Sequence, residues 1–256
     1  GLNKILFISS TILSFVIILI LDFKLLITSN KSLFILKSEG EIGLANRIGA
    51  GLNGYDYVSS AGIVGEFATR AAIGLGANVR VFDNSITKLR ALQANIGRTV
   101  YTSTMQPKNL QKALMRCDVA IGAAKGNNRA PILVNEALVE QMKSGSVIID
   151  VSIDMGGCFE TSEVTSHDNP TFVKHDVIHY CVPNIPARYA RTSSVSISNI
   201  FTPYLLKIAE DGGVENSLRF DLGLKNGLYF YHGILTNKSV ADWFDLEYSD
   251  ANLLIF

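Results

Sequence analysis

The stretch SSAGIVGE, residues 59–66, sets two glycines three apart directly after a short apolar run. Between a strand and a helix such glycines have separate tasks. Gly62 lets the backbone approach a pyrophosphate closely, and Gly65 lets the helix pack on the strand. Ser60 stands where a further glycine would make the tight turn. Its Cβ is a handicap only if φ must be positive, and its hydroxyl can be offered to a phosphate. Ser60, Ala61, Gly62, Ile63, Val64 and Gly65 are therefore candidate phosphate-binding residues, because a helix opening near Ile63 presents free N–H groups and a positive dipole end. Asp83 lies 21 residues beyond Gly62, closing the run VRVFD. A carboxylate there can accept hydrogen bonds from the adenosine ribose hydroxyls of a dinucleotide and would repel a 2′-phosphate, which favours NAD over NADP. The alternative is that Gly62 and Gly65 are packing glycines alone.

These residues need a strand, a turn and a helix to carry them. YVSS, residues 57–60, reads as a first strand, and residues 65–75 place Phe67, Ala68, Ala71, Ala72 and Leu75 on one helical face. Residues 79–83 return as a second strand. A second helix follows, with Ile86, Leu89, Leu92 and Ile96 at helical spacing and Ser85 as its N-cap. Further strands are predicted at 99–103, 118–122, 146–151 and 177–182, with helices over 109–116 and 136–142. Short apolar runs alternating with amphipathic segments predict an α/β fold, a Rossmann-type doubly wound parallel sheet.

The string GIVGEFATRAAIGLGANVRVFDNSITKLRALQ, residues 62–93, resembles the NAD-binding domain of the alanine dehydrogenase and pyridine nucleotide transhydrogenase family. The likeness continues through CDVAIGAAKG, GSVIIDVSIDMGGCFETSEVTSHDNPTF and HYCVPNIPARYARTSSVSISN, and covers roughly residues 56–256. IDMGGCFETS is its most specific part, although Met155 replaces a glutamine found in many relatives. The resemblance implies NAD-dependent oxidative deamination of L-alanine to pyruvate and ammonia. It implies that Asp154 and Asn184 are catalytic-site residues beside the nicotinamide. Val151, Ile153, Val182 and Ile185 would line the nicotinamide pocket, Asp83 and Lys88 would contact the adenosine end, and Ala123 would lie along the cofactor. Placement agrees, because open α/β sheets bind ligands just past the C-terminal ends of their strands. Read from its neighbours alone, Asp154 before Gly156 and Gly157 could equally shape a turn. Within the same family the alternative is a transhydrogenase-type NAD(H)-binding subunit, and relatives are commonly homo-oligomers.

The resemblance also divides the chain into an atypical apolar segment (1–54), an NAD-binding domain (55–190) and a C-terminal return segment (191–256) belonging to an incomplete substrate domain. Relatives bring a substrate-binding arginine and lysine and a histidine acid/base from that domain. Here no histidine precedes His167. The expectation is a truncated form that binds NAD(H) without turning over alanine alone.

Residues 5–21 form a run of 17 without charge, the short limit for a membrane span. Three readings stay open: a membrane anchor, and with it a noncatalytic tethered module; a buried element; or a sequence that is not native. Lys plus Arg equals Asp plus Glu at 23 each, so no net field points to nucleic acid. Cys117, Cys158 and Cys181 show no CxxC spacing and fit buried thiols in a reducing cytoplasm rather than disulfides or a metal site. His179 near Cys181 reads as strand alternation, and His167, His175 and Asp168 receive no chemistry.

Overall fold

The computed structural model describes residues 55–126 and 129–255, so the readings for residues 1–54, including the apolar run, lie outside the described residues. Among the described residues no helix is long and apolar enough to cross a membrane. The chain divides into two compact units, one ending at Ser193 and the other beginning at Ser194.

The first unit alternates strands and helices: β1 (Tyr55–Ser59), α1 (Ile63–Gly74), β2 (Asn78–Phe82), α2 (Ile86–Ile96), β3 (Tyr101–Ser103), α3 (Pro107–Leu114), β4 (Val119–Gly122), α4 (Glu136–Val139), β5 (Val147–Asp150), β6 (Thr171–Lys174) and β7 (Val177–Tyr180). They form a seven-stranded sheet in the order β3-β2-β1-β4-β5-β7-β6, in which only β6 runs antiparallel. This is the Rossmann-type α/β fold. Strand residues alternate between two cores: Val58, Val119, Ile121, Val147 and Ile149 pack with Ala68, Ala72, Leu89 and Leu92. Tyr57, Ala120 and Ile148 pack with Leu110, Leu114 and Val139 on the other face. Burial on both faces explains the apolar runs VAIG and VII, the second closed by Asp150, because a doubly covered strand has no polar side.

Ser85 caps α2 as its spacing predicts, its side chain accepting from the Lys88 N–H. The edge strand β6 is not among the strands predicted from sequence. It joins β7 through His175 and Asp176, with φ of 53° and 58°, the two-residue geometry that suits the twist of a hairpin.

The second unit contains most of α5 (Ala190–Glu210), then α6 (Val214–Phe220), α7 (Leu222–Asn226), the hairpin β8 (Phe230–Tyr231) and β9 (Ile234–Leu235), α8 (Lys238–Phe244) and α9 (Ala251–Leu254). Its buried core is small: Leu218, Ala251 and Ile255, flanked by Leu224, Leu228, Tyr231 and Leu254. On α5, Ile200 is buried, Tyr204 and Ile208 are half-buried, and Leu205 is exposed.

At the N-terminal edge of the sheet, Asp56 is buried on β1. Burial, and after it the neighbouring Asp118 carboxylate, push its pKa up from 3.8 to about 7. The folded state therefore holds a proton that the unfolded chain has released, and stability falls as pH rises from about 4 to about 7. Above that window the penalty is constant; below it there is none. Asp56→Asn is expected to gain on the wild type across the window, by up to roughly 4 kcal/mol above pH 7. Urea unfolding at pH 4 and pH 8 checks this, and an equal difference at both values contradicts it.

Candidate functional site

The chain turns from β1 towards β2 and β3 on one side of the sheet, then crosses back to β4 and β5 on the other. Loops leaving β1 and β4 therefore diverge, opening a crevice at their C-terminal ends. Ser59 and Gly122 are paired at that end. The Ser59 hydroxyl donates to the Ile121 carbonyl at 3.2 Å and accepts from the Ala123 N–H at 3.1 Å, which fixes where Ala123 sits. Gly122 is bare by necessity, since a Cβ there would lie 2.5 Å from Cys158 Sγ and 2.8 Å from the Phe159 ring.

Ser60 follows with φ of 109°, so the turn does demand the conformation that handicaps a side chain. Its N–H donates to the Phe82 carbonyl at 2.7 Å. Its hydroxyl donates to Asp83 Oδ2 at 3.3 Å and accepts from the Gly62 N–H at 3.1 Å. Asp83 Oδ2 also accepts from the Ala61 N–H at 2.8 Å, and Oδ1 from the Ser85 N–H at 2.7 Å. Asp83 is thus buried at the end of β2 with its carboxylate oriented by the two turns it joins.

Gly62 is the N-cap of α1, and among the described residues no side chain caps that helix. The first-turn N–H groups of Ile63, Val64 and Gly65 are consequently available to an anion. A Cβ on Gly65 would stand 1.8 Å from the Ser60 carbonyl oxygen, so this glycine brings the helix end against the turn. The uncapped helix end, the close-approach Gly62 and the oriented Asp83 fit the phosphates and ribose of a dinucleotide. Lys88 is exposed on α2, and its ammonium makes no ion pair among the described residues.

Beyond β5 the loop of residues 151–162 is organised by a residue the sequence reading passed over. Asp150 is fully buried. Its Oδ1 accepts from the Ser152 N–H at 3.0 Å and faces Cys158 Sγ at 3.7 Å. Oδ2 accepts from the N–H groups of Cys158 at 2.8 Å and Phe159 at 3.3 Å, and from the Ser162 hydroxyl at 2.7 Å. The only sequence signal was an acid ending an otherwise apolar strand. Burial, and then the Asp150 carboxylate, push the Cys158 thiol up to about 12, so it stays protonated and can donate.

Within this loop Asp154 lies in a short 3₁₀ turn (Ile153–Met155) and is the only exposed side chain from Val147 to Phe159. Its Oδ1 accepts from the Asn184 N–H at 2.8 Å, which brings Asp154 and Asn184 together. Asn184 holds φ of 50°, a left-handed conformation asparagine tolerates, and leads into a second 3₁₀ segment (Ile185–Tyr189). Val151 is half-buried, whereas Ile153, Val182 and Ile185 are buried. Ile185 belongs to the same core as Val58, Ala61 and Ile121. The ends of β2 and β5 are three strand spacings apart, about 14 Å, so Asp83 and Asp154 suit the two ends of an extended ligand.

The other flagged groups have structural roles. His179 is buried, with Nε2 2.8 Å from the Thr161 hydroxyl, Nδ1 3.0 Å from the Val177 carbonyl, and its ring stacked on Phe172. Desolvation lowers its pKa, which keeps it neutral. His175 pairs with Glu136 at 2.8 Å, beside the turn that opens β7 and so at the edge of the sheet opposite the crevice.

Residues 45–238 match the family described as Alanine dehydrogenase/PNT, C-terminal domain. Alanine dehydrogenase 2 of Staphylococcus aureus (strain USA300) is 41% identical over 189 residues, covering 73% of this chain and 50% of that protein. The chain thus spans about half the length of the curated relatives it matches. A solved L-alanine dehydrogenase superposes with a TM-score of 0.70 at 35% identity, over 77% of this chain and 56% of that one. A transhydrogenase from Sinorhizobium meliloti, at 23% identity and a TM-score of 0.54 over 61% of this chain and 45% of that one, shares the fold.

The Ser60–Gly65 contact yields a direct stability test. Gly65→Ala must displace α1 or the Ser60 carbonyl, and is expected to cost roughly 3 kcal/mol or more, measured as a fall in the urea midpoint. A loss below about 1 kcal/mol, the ordinary range for a mild substitution, contradicts the close approach.

Proposed function

Because the chain belongs to the alanine dehydrogenase/PNT C-terminal domain family, we propose that it binds NAD(H) at the C-terminal ends of β1 and β4 and serves the oxidative deamination of L-alanine to pyruvate and ammonia. The observation that carries the reading is the uncapped N-terminus of α1 set beside an already oriented Asp83. Bound NAD supplies the hydride acceptor for the substrate Cα.

The chain's own residues bind and orient. Gly62 gives the pyrophosphate its approach, and the N–H groups of Ile63, Val64 and Gly65 answer its charge, with Ser60 and Ala61 shaping the turn. Asp83 receives the ribose hydroxyls in a fixed orientation, because the Ala61 and Ser85 N–H groups hold both of its oxygens. Lys88 serves the adenosine end and Ala123 the middle of the cofactor. Val151, Ile153, Val182 and Ile185 form the apolar floor of the nicotinamide end. Asp154, anchored through Oδ1 to the Asn184 N–H, keeps Oδ2 without a partner among the described residues. That oxygen is the group offered to a proton of the substrate amine or of water.

NADH fluorescence titration tests the binding step. Asp83→Ala is expected to weaken NADH by about ten-fold or more, since a charged acceptor in a buried position is lost; equal affinity removes Asp83 from the ribose site. Ser60→Gly frees the Gly62 N–H for phosphate and places glycine at φ of 109°. It is expected to tighten NADH, and unchanged affinity would show that the serine imposes no handicap.

A further inference from the structure

The buried Asp150 is far better furnished with donors than a strand end requires. We infer that it is the positioning residue for the nicotinamide end of the site, acting through the loop that carries Asp154 without touching a ligand itself. This inference rests on the cofactor reading above.

The geometry separates Asp150 from an ordinary core polar group. Its donors come from both ends of one loop: Ser152 before Asp154, and Cys158, Phe159 and Ser162 after it. The two loop ends are thereby closed onto one carboxylate, and the intervening five residues, 153–157, are left to form a tight protrusion. That protrusion is held by backbone bonds from Met155 N–H and Gly157 N–H to the Ser152 carbonyl, at 2.9 Å and 3.0 Å. Gly157 has φ of 76°, and a Cβ there would lie 2.8 Å from Asp150 Oδ2. The loop is thus wrapped on the carboxylate as closely as a bare backbone allows.

The same network reaches the crevice from the other side. Cys158 Sγ lies 3.8 Å from the Ser59 hydroxyl, which itself fixes Ala123, and the Ser152 hydroxyl donates to the Ala124 carbonyl at 2.8 Å. The ends of β1, β4 and β5 are therefore tied into one buried polar cluster, from which the short 3₁₀ turn carries Asp154 into solvent. The phosphate-binding turn at Ser60–Gly65 makes none of its hydrogen bonds to Asp150. Loss of the Asp150 charge should accordingly disturb the nicotinamide end and spare the adenosine end.

Asp150→Asn keeps the shape but cannot satisfy the cluster. Whichever way the amide lies, its NH₂ group meets donors on that side. The probes are NADH and ADP-ribose, which retains the adenosine, pyrophosphate and second ribose but lacks nicotinamide. For Asp150→Asn the expectation is an ADP-ribose Kd within about two-fold of wild type, an NADH Kd weakened about ten-fold, and loss of the nicotinamide fluorescence enhancement. Equal weakening of both ligands, or of neither, overturns the positioning role. Should Asp150→Asn fail to fold, Ser162→Ala removes a single donor at the far end of the loop. It is expected to weaken NADH by about three-fold while ADP-ribose is unchanged, and the absence of that split overturns the inference. A wild-type chain that binds neither ligand overturns the cofactor reading itself and the positioning role with it, which is a different outcome from binding without discrimination.

Discussion

The parallel pairing of β1 with β4 is the contact from which the rest of the site is hung. The pairing is between strands distant in sequence, and it places Ser59 opposite Gly122 where their two loops part company. Everything that follows is constrained by how little room remains there. Gly122 has no space for a side chain, Ser59 uses its hydroxyl on β4 rather than on solvent, and Gly65 accepts the Ser60 carbonyl at a distance no Cβ would tolerate. Where β1 and β4 part, the crevice is therefore made largely of backbone approaching backbone.

Three carboxylates at this edge show how burial and partners divide the work of one functional group. Asp83 is buried between two turns and is oriented by their N–H groups and a serine hydroxyl. Asp150 is buried more deeply and faces inward, where it gathers a loop. Asp154 is exposed, with one oxygen tied down and the other without a partner among the described residues. At the opposite edge burial and the neighbouring Asp118 act on Asp56, and its proton is retained to about pH 7. The retained proton of Asp56 follows from burial, which disfavours the charged form of a carboxylate.

Much of the scaffold was legible because its signals are local. Short apolar runs mark β4 and β5, the alternation of VRVF marks β2, and Ser85 announces the start of α2 by the cap it makes. β6 escaped because its side chains are half exposed and because His175 and Asp176 take a hairpin turn usually signalled by asparagine and glycine. At Ser60 the sequence posed a condition on φ that only coordinates could resolve. Asp150 was hidden for a different reason: its significance lies in Cys158, Phe159 and Ser162, eight to twelve residues away, and no spacing rule announces an acceptor that serves three backbone amides and a hydroxyl. The pairing of Asp154 with the Asn184 N–H likewise joins two loops whose proximity depends on β5 lying beside β7.

The loop around Asp150 has almost no regular secondary structure, yet Ser152, Ile153, Gly157, Cys158 and Phe159 are buried and its chain is hydrogen-bonded to a fixed carboxylate. Such a segment has already lost its conformational freedom during folding. A ligand that met Asp154 would find the surface in place, and association there would forgo the entropic cost that ordering a loose loop of that length would carry.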